Sequence, residues 1–165
     1  MPNGFLSMCS NPNSATIRIL HVDDEPEDLE ITRIFLKRVW RENFEIVSVL
    51  SVREALEKLE SEHFDVVISD YQMPDMNGIE FLEVVRKSEK YADTPFIIFT
   101  GRGGEEIAKD ALNRGADGYI DKMGNPARQC NELARVINES VMERRRKWVT
   151  REERDSDKRR STYAF

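Results

Sequence analysis

Phe64-Asp-Val-Val-Ile-Ser-Asp70 runs directly into Tyr71-Gln-Met-Pro-Asp-Met-Asn-Gly78. An apolar run of strand length, closed by a carboxylate and then by Pro, Asn and Gly, predicts a buried strand that delivers an acid to a loop. Three further runs share this form. Ile17-Arg-Ile-Leu-His-Val22 leads into Asp23-Asp24-Glu25, Pro95-Phe-Ile-Ile-Phe99 into Thr100, and Gly118-Tyr-Ile120 into Asp121-Lys122. Phe44 to Leu50 supplies another strand. The strand beginning at Ala116 ends at Ile120.

The segments between these runs have helical spacing. Pro26 suits the first turn of a helix that follows acidic residues, and Leu29, Phe35, Leu36 and Val39 give it an apolar face. Val52 to Glu60 turns Ala55, Leu56 and Leu59 inward. Ile79, Leu82 and Val85 recur at helical intervals after Gly78. Glu105 to Asn113 forms the next helix, closed by Gly115. Asn125-Pro126 reads as a cap and first turn of a last helix carrying Leu133, Val136, Ile137 and Val141. Five strands alternating with five helices predict an α/β fold with a parallel sheet covered on both faces.

The chain has 165 residues, enough for one domain and a tail. Residues 1–14 read as a disordered leader, 15–141 as the domain, and 142–165 as a charged helical extension that frays after about Asp155. Cys9 and Cys130 suggest no disulfide framework and fit a reducing compartment. The start has no apolar stretch of signal-peptide length, and no run approaches a membrane span. The expectation is a soluble, cytoplasmic protein without membrane contact. The net charge of −6 is uneven: residues 141–160 hold nine Lys/Arg and five Asp/Glu, net +4, so the remainder carries −10. An acidic body argues against binding a nucleic-acid backbone.

Open α/β sheets bind ligands beyond the carboxyl ends of their strands, where strand order reverses. With order 2-1-3-4-5, that point lies between the first and third strands, which carry Asp23, Asp24 and Asp70. Three unpaired carboxylates repel one another, and a hard divalent cation relieves the repulsion. Mg²⁺ suits the set, because it takes oxygen ligands and keeps several waters; the His and Cys expected for zinc are missing. Thr100 and Lys122 arrive on the other side of Asp70. A metal, a hydroxyl and an ammonium around one carboxylate form a set for phosphoryl chemistry. Asp70 would be the nucleophile, forming an acyl phosphate. Asp23 and Asp24 would hold Mg²⁺ with Asp70 and the backbone carbonyl of Gln72, and Thr100 and Lys122 would bind phosphoryl oxygens.

Over roughly residues 16–141 the chain resembles the receiver domain of two-component response regulators. The residues that carry the resemblance are Asp23-Asp24, Asp70 followed by Met73-Pro74 and Asn77-Gly78, Thr100, and Lys122 after Gly115-Ala116-Asp117. Each motif alone is weak; the ordered set at strand ends is specific. The resemblance implies a flavodoxin-like (βα)5 fold and Mg²⁺-dependent phosphorylation of Asp70 by a histidine kinase or a histidine phosphotransfer protein. It also implies a switch through Thr100 and Tyr119, with output from the face of the fourth helix, fifth strand and fifth helix. Two departures stand out. Met123 follows Lys122 where the family usually has proline, and Gly101-Arg-Gly-Gly104 follows Thr100 where a small residue such as alanine is common. Arg102 is thereby placed to modulate the acyl-phosphate lifetime.

Single residues have plainer readings. Asp23-Asp24 could complement a helix dipole, Thr100 could be a β-branched strand residue, and Lys122 could be a surface lysine. His21 reads as a core histidine, His63 as a solvated helix end, Asp75 as a solvated turn residue, and Tyr119 as packing with an exposed hydroxyl. For the tail, a solvated helix is the first reading, with Glu143 and Lys147 paired at i,i+4. A signalling helix that leads to a dimer partner or a downstream domain, with a short seam begun by Val141 and Trp148, is the second, and nucleic-acid contact through Arg144-Arg145-Arg146 the third. No DNA-binding output domain fits in so short a segment. The main rival function is a Mg²⁺-dependent aspartyl-phosphate phosphohydrolase. Its nucleophile would lie in an Asp-x-Asp run after the first strand, and here those acids are adjacent. A flavin carrier would need a Thr/Ser-rich phosphate loop after the first strand, and none is present.

Overall fold

The computed structural model describes residues 16–40 and 43–162. Ten elements alternate: β1 (Ile17–Val22), α1 (Pro26–Trp40), β2 (Phe44–Val49), α2 (Val52–Ser61), β3 (Val66–Ser69), α3 (Gly78–Lys87), β4 (Phe96–Thr100), α4 (Glu105–Asn113), β5 (Gly118–Asp121) and α5 (Pro126–Thr162). The strands form one sheet in the order β2-β1-β3-β4-β5, and every pairing is parallel. The parallel sheet is the one expected from the strand pattern, and its order is the flavodoxin-like one that the resemblance implies. The leader expected over residues 1–14 lies outside the described residues.

Strand alternation divides the core in two. Leu20, Val22, Val67, Phe96 and Ile98 face a layer that includes Ala55, Leu59, Phe81, Leu82 and Val85 from α2 and α3. Ile17, Ile19, Val66, Ile68, Ile97 and Phe99 face Leu36 of α1 and Leu133, Ile137 and Val141 of α5. β3 and β4 are buried at every position. That explains their unbroken apolar sequence, since a strand with helices on both faces has no wet side.

The helix starts follow the local chemistry. Asn77 caps α3: its Oδ1 accepts from the backbone N–H groups of Ile79 and Glu80, and the Glu80 carboxylate accepts from Asn77 N–H. Asn125 caps α5 by accepting from Ala127 N–H, as read from the sequence. Gly115 ends α4 with φ +100. Away from the strand ends that carry the acids, Arg86 ties the opposite edge together, donating to the carbonyls of Ala92, Thr94 and Gly115 and pairing with Asp117.

Several expectations are corrected. Val39 is 40% exposed, and Thr32 takes its place on the buried stripe of α1. β3 starts at Val66 because Asp65 is occupied elsewhere: its N–H bonds the Arg18 carbonyl and its carboxylate accepts from Arg18 N–H. β4 extends to Thr100, and β5 runs from Gly118 to Asp121. α5 continues through Thr162, past the expected fraying point at Asp155. Glu143 and Lys147 form the expected pair at 3.0 Å, and Arg145 reaches back to Asp65 at 3.4 Å. Val141 is 1% exposed and packs in the domain core, so it does not open a seam with Trp148, which is half exposed.

Candidate phosphoacceptor site

β1 and β3 are neighbours, with His21 opposite Ile68 and Val22 opposite Ser69. The chains therefore leave the sheet side by side, and Asp23 and Asp70 emerge together. Backbone bonds fix both: Asp70 N–H donates to Val22 carbonyl at 2.9 Å and Asp23 N–H to Val49 carbonyl at 3.2 Å. Asp23, Asp24 and Asp70 each place one carboxylate oxygen within 4.8 Å of the others, a group that could hold a metal ion. The all-oxygen donor set fits a hard cation such as Mg²⁺.

Asp23 is fully buried. One of its oxygens accepts from Glu25 N–H at 3.0 Å, the other from Lys122 Nζ at 2.5 Å. Burial pushes its carboxyl pKa up to about 6, against the pull of Lys122, and neighbouring Asp70 adds to the rise. Folded Asp23 thus binds a proton more tightly than unfolded Asp23. The stability it contributes is full below about pH 4 and is lost as pH rises through about 6. Asp23→Asn is accordingly expected to stabilise the cation-free protein by about 1–2 kcal/mol at pH 7, after allowance for screening through the open cleft. Urea denaturation with a chelator checks this. The gain should vanish below pH 4, and a variant less stable than the parent at pH 7 would contradict it.

Asp70 is half-buried, and its Oδ1 accepts from Tyr71 N–H at 2.8 Å. The loop behind it is held by Gly78, whose N–H donates to Tyr71 carbonyl at 2.7 Å. A Cβ on Gly78 would lie 2.4 Å from the Asp70 carbonyl oxygen. The glycine after Asn77 is thus required by the close approach of α3 to the acid-bearing loop.

Thr100 is fully buried at the end of β4, and its Oγ1 accepts from Arg102 N–H at 3.2 Å. Lys122 N–H donates to Thr100 carbonyl, which carries the lysine into the cleft just beyond β5. Burial favours loss of the Lys122 proton, but Asp23, Asp70 and Asp28 outweigh it and hold the ammonium above its ordinary pKa. Lys122 hydrogen-bonds Asp23 and Asp28 rather than Asp70, and its ammonium lies 5.3 Å from the centre of the Phe99 ring. Asp28 was not among the sequence candidates, because an acid in a first helical turn already has a sufficient reason in the helix dipole.

The cleft bounded by Asp24, Asp28, Asp70, Gln72, Arg102 and Lys122 has a volume of about 540 Å³. Gln72 and Arg102 are exposed on its rim. Met123 follows Lys122 through a trans peptide, is 68% exposed, and its N–H donates to Asp121 at 2.7 Å. Tyr119 differs from expectation, because its hydroxyl is buried. The hydroxyl occupies the space of the missing Gly103 side chain; a Cβ there would lie 1.4 Å from it. Burial raises the phenol pKa, partly offset by the nearby backbone of Gly104. His63 is solvated, as read, and Asp75 is exposed in its turn with φ +68.

Known proteins are similar to this chain in sequence and fold. The family model for the response regulator receiver domain matches residues 19–134. The two-component response regulator ORR12 of Oryza sativa subsp. japonica is 38% identical over 121 residues, which are 73% of this chain and 94% of that protein. A chemotaxis protein CheY homolog of Campylobacter jejuni is 32% identical over 114 residues, 67% of this chain and 84% of its own length. Among solved structures, the chemotaxis response regulator CheY4 of Vibrio cholerae superposes with a TM-score of 0.64 at 32% identity, covering 74% of this chain and 99% of that one. A CheY-like receiver domain protein from Methanospirillum hungatei gives 0.65 at 32% identity, covering 78% and 99%. With its β2-β1-β3-β4-β5 sheet, its acids at the carboxyl edge and these relatives, the chain belongs to the response regulator receiver domain family.

Proposed function

We propose that this receiver accepts a phosphoryl group on Asp70 from a histidine kinase or histidine phosphotransfer protein and changes its output surface in response. The observation that carries the reading is the meeting of Asp23, Asp24 and Asp70 within 4.8 Å, with the Lys122 ammonium bonded to the innermost acid. An Asp70 oxygen attacks phosphorus; the O–P bond forms, the donor's P–N bond breaks, and the imidazole keeps the electron pair. Asp23, Asp24, Asp70 and the carbonyl of Gln72 would hold Mg²⁺, which supplies neutralisation of phosphoryl charge. Lys122 and the Thr100 hydroxyl provide the donors for the other phosphoryl oxygens.

Output is read as a population shift between two states, biased by contacts that only the phosphorylated form makes. Thr100 and Tyr119 are its moving parts. The Gly103 gap holds the phenol against the loop that leads into α4, beside Thr100, so a shift of Thr100 toward Asp70 would reach the α4, β5 and α5 surface through Tyr119. Residues 15–141 act as the switching unit and the charged segment after them as an extension, helical through Thr162, with a homodimer as one readout. The domain catalyses its own phosphorylation and dephosphorylation and turns over no external substrate. Among the described residues no helix is long and apolar enough to cross a membrane.

The test is intact mass after incubation with acetyl phosphate. One phosphoryl adduct is expected with Mg²⁺ and none with chelator. Absence of a Mg²⁺-dependent adduct, together with no response to beryllofluoride, would sink the proposal. Multiple turnovers of phosphomonoesters would favour the phosphohydrolase instead.

A further inference from the structure

We infer that Asp28 is a positioning residue that holds Lys122 away from Asp70 until a phosphoryl group competes for it. This rests on the phosphoacceptor reading above and adds a component to it. The Lys122 ammonium has three donors. One goes to Asp23 Oδ2 at 2.5 Å and one to Asp28 Oδ2 at 3.0 Å. Phe99 flanks the ammonium, and the lysine side chain is only 15% exposed. No hydrogen bond links it to Asp70 among the described residues.

Asp28 is a fixed anchor. It sits in the first turn of α1, with its own N–H donated to the Glu25 carbonyl at 3.1 Å. Its carboxylate is 37% exposed and takes the longer of the two lysine contacts, while Asp23 is enclosed and takes the shorter. The Asp28 contact is therefore the one that yields. A phosphoryl group on Asp70 presents more negative charge than one carboxylate, and Lys122 can turn to it while keeping Asp23. Before that, the arrangement leaves Asp70 without an ammonium on its oxygens, so its lone pairs stay open to an incoming phosphorus. Asp28 thus sets how strongly the site must be charged before Lys122 moves.

Removing this competitor strengthens binding of a phosphoryl mimic. Calorimetric titration of the full chain with beryllofluoride in Mg²⁺ is expected to show binding about threefold tighter for Asp28→Asn than for the parent, the scale of one partly exposed ion pair. Glu25→Gln removes a nearby cleft charge that forms no hydrogen bond or ion pair with Lys122 among the described residues, and should give distinctly less. In a Lys122→Ala background, Asp28→Asn should give no gain. Equal gains from Asp28→Asn and Glu25→Gln, no gain from Asp28→Asn, or a gain that survives without Lys122 would each overturn the inference.

A second readout needs neither metal nor mimic. The ¹H–¹⁵N signal of the Lys122 ammonium in the cation-free protein should shift and exchange faster in Asp28→Asn, and an unchanged signal would also overturn the inference. If the parent binds no beryllofluoride at all, the phosphoacceptor reading fails, and this signal alone decides whether Asp28 holds the lysine.

Discussion

Asp70→Asn is expected to gain no phosphoryl group under conditions in which the parent takes up one, while remaining folded. The carboxamide is nearly the same size but has no anionic oxygen to attack phosphorus, and its N–H₂ group cannot ligate a cation. The backbone contacts that place the residue do not depend on the charge: Asp70 N–H bonds Val22 carbonyl, and Gly78 secures the following turn. Loss of one of three crowded charges also relieves repulsion, so stability should be equal or slightly higher. Asp23 is an unsuitable substitute nucleophile, being enclosed and bonded to Lys122. Asp24 is half-buried on the same cleft and is the only other acid of the cluster that a donor could approach. Intact mass with Mg²⁺ and acetyl phosphate checks the expectation, and circular dichroism confirms folding. An adduct of parental extent on Asp70→Asn would remove Asp70 as the acceptor.

The elements whose burial is dictated by their own sequence were readable in advance. Val66 to Ser69 and Phe96 to Thr100 are enclosed on both faces, so an unbroken apolar run had few other fates. Asn125 announced a helix start because capping is a local interaction. The acids at the strand ends were readable once a parallel sheet was accepted, because chain order then puts them on one edge. What escaped depends on distant groups. Val39 has helical spacing from Leu36, but Thr32 fills the buried stripe instead. Lys122 bonds Asp28 as well as Asp23, and Asp28 lies 94 residues away in sequence. The Tyr119 hydroxyl is buried only because Gly103 leaves room for it. The tail presents a different case. Its helix beyond Met142 has little apolar contact, and pairs such as Glu143–Lys147 accompany a continuous helix where composition alone suggested fraying.

His21→Leu is expected to stabilise the protein, and to do so increasingly in mild acid. His21 lies in β1, between β2 and β3, on the same side as Ile17 and Ile19. It is fully buried, and neither ring nitrogen has a hydrogen-bond partner among the described residues. An enclosed polar group without a partner costs about 1–3 kcal/mol, so leucine of similar volume should gain about 1 kcal/mol at pH 7 after some repacking. Burial, reinforced by the Lys122 charge, lowers the imidazole pKa from 6.5 to about 3. The unfolded chain therefore takes up this proton near pH 6.5, whereas the folded chain resists it until about pH 3. Stability associated with His21 is intact above the unfolded value and is lost as pH falls from 6.5 toward 3. Leucine has no such loss, so its advantage should grow by about 2 kcal/mol between pH 7 and pH 5. Protonation of Asp23 in the folded state works in the opposite direction over part of this range. It is common to both proteins and cancels in their difference. Urea denaturation at the two pH values measures the effect, and a difference that stays constant from pH 7 to pH 5 would show that His21 is not held neutral.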